Sequence, residues 1–197
     1  MIDLEAQLRR IDAELCAIGA AFAVVGGLAV SVRAEPRLTR DADLAVAVNS
    51  DDEAEAVIRA LSVRGYRVVA LVEQEATGRL ATVRLGHGPM DGVVVDLLFA
   101  SCGIEREIVA AAEQVAVVSG FVLPVASVGH LIAMKLLARD DRARPLDADD
   151  LRSLRAIAQH KDWTVASDAV ALIVERGYAR GRDLRTALEA LRADGAY

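Results

Sequence analysis

Residues 22–48 read FAVVGGLAVSVRAEPRLTRDADLAVAV. The apolar run Phe22–Gly26 predicts a short buried strand. Gly26-Gly27 turns it into a helix over 28–34, and Pro36 ends that helical region. Asp41–Val48 predicts a second strand. Its two faces differ, because successive strand residues point to opposite sides. Ala42, Leu44, Val46 and Val48 make a core face. The other face begins with Asp41 and Asp43 and continues with Ala45 and Ala47.

Working outward, apolar residues at 4, 8, 11, 15 and 18 predict a helix over 2–18. Ser50-Asp51 caps a helix over 51–64, with Glu53 as the capping-box acid and Gly65 as its close. Strands follow near 66–73, 80–86 and 93–99. A helix over 104–114 comes next, then a hairpin through Ser119-Gly120 to Pro124. Beyond Pro124 the pattern is helical throughout: 127–140, 147–160, 164–176 and 183–194, broken at Pro145 and over Gly177–Gly181. The reading is an α+β fold, α/β-like in its order. A sheet with flanking helices occupies 1–125, and a helical part, 126–197, packs on it. No linker composition separates the two.

Composition narrows the class. The chain has 197 residues, 54% apolar and 26% charged, enough to bury a full core. No apolar run reaches the ~18 residues of a membrane span. Met1–Leu15 is charged throughout, unlike a signal peptide. Two cysteines, Cys16 and Cys102, suit a reducing compartment and give no zinc framework; the expected location is the cytoplasm. A net charge of −6 argues against indiscriminate nucleic-acid binding. Of the 23 basic residues, only Lys135 and Lys161 are lysines. The arginines cluster as Arg33, Arg37 and Arg40; Arg139, Arg142 and Arg144; and Arg176, Arg180, Arg182 and Arg185. Their rigid forks suit phosphate, so local basic patches can hold a nucleotide or RNA.

Asp41 and Asp43 are two like charges on one strand face. A divalent cation such as Mg²⁺ relieves that repulsion with carboxylate oxygens; a strand end dipping into solvent is the plainer account. Asp96 interrupts the most apolar strand, Gly92–Phe99, where a lone buried carboxylate is costly. Three carboxylates from two strands, Asp41, Asp43 and Asp96, make a metal site the better account; a salt bridge to a neighbouring arginine is the alternative. Gly26-Gly27, between strand and helix, presents backbone N–H groups to an anion. It fits neither the dinucleotide fingerprint nor the P-loop pattern. An anion-binding turn, an Asp-x-Asp strand and a later third carboxylate make a triphosphate–metal site for nucleotidyl transfer, with room for two metal ions. Lys135 and Arg139 form an i,i+4 pair. The rarity of lysine here favours Lys135 as a phosphate ligand over a solvated helix face. Asp147 and Asp150 share a helix face, as site acids or as a first turn countering the macrodipole. His87, His130 and His160 read as structural, and Cys102 lacks a nucleophile's context.

These pieces resemble the DNA-polymerase-β-like nucleotidyltransferases, and more narrowly the AbiEii and MenT-type toxins of bacterial toxin–antitoxin pairs. The resemblance rests on Gly26-Gly27-Leu28-Ala29, then Arg37-Leu38-Thr39-Arg40-Asp41-Ala42-Asp43, then Lys135 to Arg139, then Asp147-Ala148-Asp149-Asp150. It runs from about residue 20 to 155. It implies a nucleotidyltransferase that uses Mg²⁺ and an NTP, a pyrimidine NTP being one option. Its acceptor would be the 3′ end of tRNA, blocking aminoacylation and translation, and a small cognate antitoxin would neutralise it. It implies catalytic roles for Asp41, Asp43, Lys135, Asp147 and Asp150, and phosphate contacts from Gly26, Gly27, Arg40, Lys135 and Arg139. Leu28 departs from the family's hydroxyl residue, and Ser31, one turn on, is the available substitute. The resemblance also implies regulatory phosphorylation at Thr39. Transfer to a small molecule, as in aminoglycoside nucleotidyltransferases, or to a protein is the alternative. A degenerate, non-enzymatic fold is a third reading, opposed by the intact Asp41, Asp43 and Asp96.

Overall fold

The computed structural model describes residues 4–36, 39, 41–87, 94–118, 120–139 and 146–193. After helix α1 (Leu4–Ala17), β1 (Phe22–Val25) runs directly into α2 (Gly26–Arg33). β2 (Ala42–Val46) returns antiparallel to β1, and α3 (Asp51–Val63) follows. Ser50 caps α3 by accepting the Glu53 N–H, but the Glu53 carboxylate reaches past it to the N–H of Asn49, at 2.8 Å. β3 (Tyr66–Glu73), β4 (Leu80–His87) and β5 (Val94–Leu98) come next, then α4 (Glu105–Ala110). β6 (Glu113–Val118) and β7 (Phe121–Val125) form a hairpin.

All seven strands join one mixed sheet in the order β3-β4-β5-β2-β1-β7-β6. β2 runs parallel to β5, and β1 parallel to β7. The three central strands carry the core: Val24, Leu44, Val46, Val95 and Leu97 are fully buried. The helix expected over 104–114 is shorter. The alanines of 110–112 favour helix, yet β6 pairs with β7 from Glu113 onward, and Glu113 is held at 2.6 Å by Arg33. Cross-strand pairing prevails over local propensity there.

The helical part consists of α5 (Val128–Ala138), α6 (Leu146–Ile157), α7 (His160–Glu175) and α8 (Leu184–Ala193). α5 is buried nearly all round and touches each of the other three, as well as α2. At Gly129 an added Cβ would lie 2.4 Å from the Asp162 carbonyl, so glycine lets α5 and α7 meet. Arginines tie the helical part to the sheet part: Arg176 pairs with Glu107 at 2.6 Å, and Arg180 donates to the Ser101 carbonyl at 3.0 Å. No described helix is long and apolar enough to cross a membrane.

His130 sits in the first turn of α5, 6% exposed, with Nδ1 2.9 Å from the Ser127 hydroxyl. Burial holds its imidazole below the ordinary 6.5, with the charge of Glu107 opposing. The unfolded chain therefore takes up this proton first as pH falls. Stability is complete above the unfolded value and declines below about pH 6.5. His130→Gln should flatten that decline in denaturant melts between about pH 6.5 and 5. An unchanged slope would assign the acid sensitivity elsewhere.

Candidate active site

Register builds a row of functional side chains across the sheet. In the β4–β5 hairpin Arg84 pairs with Asp96; in the parallel β5–β2 pair Asp96 aligns with Asp43; across β1–β2 Asp43 aligns with Val25. Val25 is the last residue before Gly26, so Asp43 stands against the start of α2. Gly26 has φ +64°, and a Cβ there would lie 1.9 Å from Asp43 Oδ2. The carboxylate thus occupies the space that glycine leaves. Asp41 is exposed, immediately before β2.

Asp96 is 9% exposed, and Arg84 holds it with two bonds, Nε–Oδ1 2.8 Å and Nη2–Oδ2 2.7 Å. The hydrogen bond and charge of Asp96, then the charges of Asp41 and Asp43, push the Arg84 guanidinium further above its ordinary range. Asp96 thus has an arginine partner in this structure. Arg84 was missed in sequence, although a hairpin symmetric about residue 90 sets 84 opposite 96.

Lys135 enters from α5. Nearly buried, its Nζ lies 2.6 Å from Asp147 Oδ1 and 2.7 Å from Asp150 Oδ2, both on α6. The two aspartates are not a solvated first turn: they are 3% and 2% exposed and converge on one ammonium. A cavity of about 120 Å³ brings Lys135 together with Gly26, Asp43 and Arg180, walled by Leu98, Leu131 and Met134. Cys102 also lines it, but burial and then Glu105 push its thiol well up, which makes it a poor nucleophile. A larger cleft of about 440 Å³ holds none of the expected catalytic, phosphate or metal residues, though Arg176 of the C-terminal arginine cluster lines it. Two of the three arginines on its wall are paired, Arg79 with Asp51 and Arg176 with Glu107; the third, Arg106, is exposed.

The remaining expected residues lie apart from the cavity lining. Gly27 is buried in the first turn of α2. Ser31 donates its hydroxyl to the Gly27 carbonyl at 2.9 Å, back along its own helix. Arg139 is exposed at the C-cap of α5. Thr39 donates to the Asp41 carbonyl at 3.3 Å. Arg40 lies outside the described residues, as do Arg37, Arg142 and Arg144.

The profile of the nucleotidyl transferase AbiEii toxin family, of type IV toxin–antitoxin systems, matches residues 11–195. The chain belongs to this family. As an AbiEii-family protein it is a nucleotidyl-transfer enzyme. Among curated proteins the sequence has no significant match. Solved structures share its fold. A nucleotidyltransferase-like antigenic protein from Paracoccidioides brasiliensis is 16% identical with a TM-score of 0.53, covering 94% of this chain and 91% of its own. The lincosamide antibiotic adenylyltransferase LnuA, solved with lincomycin, is 14% identical with a TM-score of 0.52, covering 80% and 100%. The nucleotidyltransferase toxin MenT4 of Mycobacterium tuberculosis is a looser match, 18% identical with a TM-score of 0.35 over 87% and 85%.

Asp43 on β2 and Asp41 just before it offer hard carboxylate oxygens, Asp43 beside the glycine turn, which suits Mg²⁺. Each Asp96 oxygen accepts one bond from Arg84, which leaves a lone pair on each for a cation; among the described residues no three His, Cys, Asp or Glu side chains gather as a metal group. The carboxylates of Asp41, Asp43 and Asp96 all suit the cation in chemistry, with Asp96 shared with Arg84.

Proposed function

We propose that this chain is a toxin that transfers a nucleotidyl group from an NTP to the 3′ end of tRNA, with Mg²⁺, and that a cognate antitoxin opposes it. The observation that supports this most is the cavity shared by Gly26, Asp43 and Lys135. It joins residues 1–125, read as the catalytic domain, to residues 126–197, read as a helical domain that completes the site. Gly26 offers the N-terminal end of α2 to phosphate. Lys135 meets the triphosphate, with Asp147 and Asp150 as positioning residues. Asp41 and Asp43 would hold the cation, which when bound neutralises charge on the reacting phosphate. Asp96 would join them through the lone pairs that its bonds to Arg84 leave.

Incubation with each labelled NTP, Mg²⁺ and total tRNA tests the reading. Label at the tRNA 3′ end is expected. Label found only on a small molecule or a protein would overturn the acceptor. Of the C-terminal arginines Arg176, Arg180, Arg182 and Arg185, proposed to line an RNA path, Arg176 is in an ion pair with Glu107, whereas Arg180 and Arg182 bond only neutral carbonyls, of Ser101 and Arg139.

Two further outcomes follow. Arg84→Met should tighten Mn²⁺ binding, followed by electron paramagnetic resonance, because it frees a nearly buried carboxylate beside Asp43. Weaker binding would give Arg84 a role in building the cation site. Phosphorylation at Thr39 would add about −1.5 to −2 charges beside Asp41. Thr39→Glu should then depress transfer much more than Thr39→Val. Equal effects would leave Thr39 with its local hydrogen bond alone.

A further inference from the structure

Arg180 has φ +54°, and no other non-glycine residue has positive φ among the described residues. The same turn, between α7 and α8, carries Gly177 at +81° and Gly181 at +71°. Glycine takes such angles freely, whereas an L side chain meets its own carbonyl. Glycine at 180 would be the choice for stability alone. A strained residue held in place points to function, and the location of Arg180 says which.

Arg180 lines the cavity with Gly26, Asp43 and Lys135. The other cation there, Lys135, lies within 2.7 Å of two carboxylates, so its charge is more than balanced by the protein. Arg180 instead donates to a neutral carbonyl, that of Ser101 at 3.0 Å, and among the described residues it forms no ion pair. That bond uses one of the guanidinium's five donors. A polyanion entering the cavity therefore meets one positive charge already spent on acids and one that is not. Bidentate recognition of phosphate is what the arginine fork does best.

We infer that Arg180 is the principal triphosphate-binding cation of this cavity, and that its left-handed backbone is retained to deliver it there. This rests on the nucleotidyl-transfer reading of the cavity and assigns the NTP contact to the α7–α8 turn, outside the motif region on which the sequence resemblance rests. Titration calorimetry of each NTP with Mg²⁺, on wild type, Arg180→Gly, Arg180→Ala and Arg180→Lys, tests it beside thermal melts. Wild type should bind at least one NTP. Arg180→Gly and Arg180→Ala should bind it at least about tenfold more weakly, with Arg180→Lys between. Arg180→Gly should melt about 2–4 °C above Arg180→Ala, since only alanine retains the backbone strain. A folded Arg180→Gly that binds the NTP as tightly as wild type overturns the inference and leaves the cavity's function standing. A wild type that binds no NTP overturns both.

Discussion

Lys135→Met should cost about 3–5 kcal/mol of stability and abolish nucleotidyl transfer. Methionine keeps the length and apolar stem of lysine, so the change removes charge rather than volume. What remains is Asp147 and Asp150, 3% and 2% exposed, facing each other without their shared ammonium. Two uncompensated carboxylates in a nearly dry place are the expensive half of a broken buried pair. In a chain of this size the loss corresponds to a melting temperature lower by roughly 6–20 °C. The single partners behave differently. Asp147→Asn or Asp150→Asn leaves one carboxylate with one ammonium, a balanced pair, so stability should fall much less. Activity should still fall in both, because Lys135 is no longer held from two sides. The triple change to Met, Asn and Asn should recover most of the stability and none of the transfer, since contacting residues do not add. A Lys135→Met protein melting within about 2 °C of wild type would mean that the three charges do not form a closed buried unit.

That triad shows how far the sequence could be read. Lysine is so rare here that Lys135 drew notice, and the spacing of Asp147 and Asp150 put them on one helix face. Their meeting could not be read, because it depends on how α6 crosses α5, a tertiary relation with no local signal. The order of strands and helices was legible because Gly, Pro and apolar periodicity punctuate each element. The false length of the helix at 104–114 came from three alanines whose propensity loses to the β6–β7 hairpin. Asp96 was legible as a charge needing an answer, and both answers were on the page of the sequence. That Arg84 is the arginine beside it depends on the register of one hairpin, which the alternation of Leu80, Thr82 and Arg84 does not give. Arg180 was legible only as one of a cluster. Its backbone angle and its place in the cavity are products of the folded turn.

Gly26→Ala should abolish transfer as thoroughly as Asp43→Ala, although it deletes no functional group. Two effects coincide at this position. The backbone has φ +64°, which costs an L residue roughly 1–2 kcal/mol. The new Cβ would also sit 1.9 Å from Asp43 Oδ2 and 2.6 Å from its Cγ, so the carboxylate must leave. Displacing a reacting group by about 1 Å is enough for a loss on the order of 100-fold in rate. Gly78 separates the two effects. It has nearly the same angle, φ +65°, in the turn between β3 and β4, and an added Cβ there meets nothing within 4 Å. Gly78→Ala should therefore lose a comparable amount of backbone stability in denaturant melts and keep its transfer rate. If the two variants lose activity equally, Asp43 is not held in place by the glycine turn, and the joining of β1, α2 and β2 into one site fails with it. If Gly26→Ala loses activity while Gly78→Ala does not, the damage lies in the displaced carboxylate and not in the strained turn.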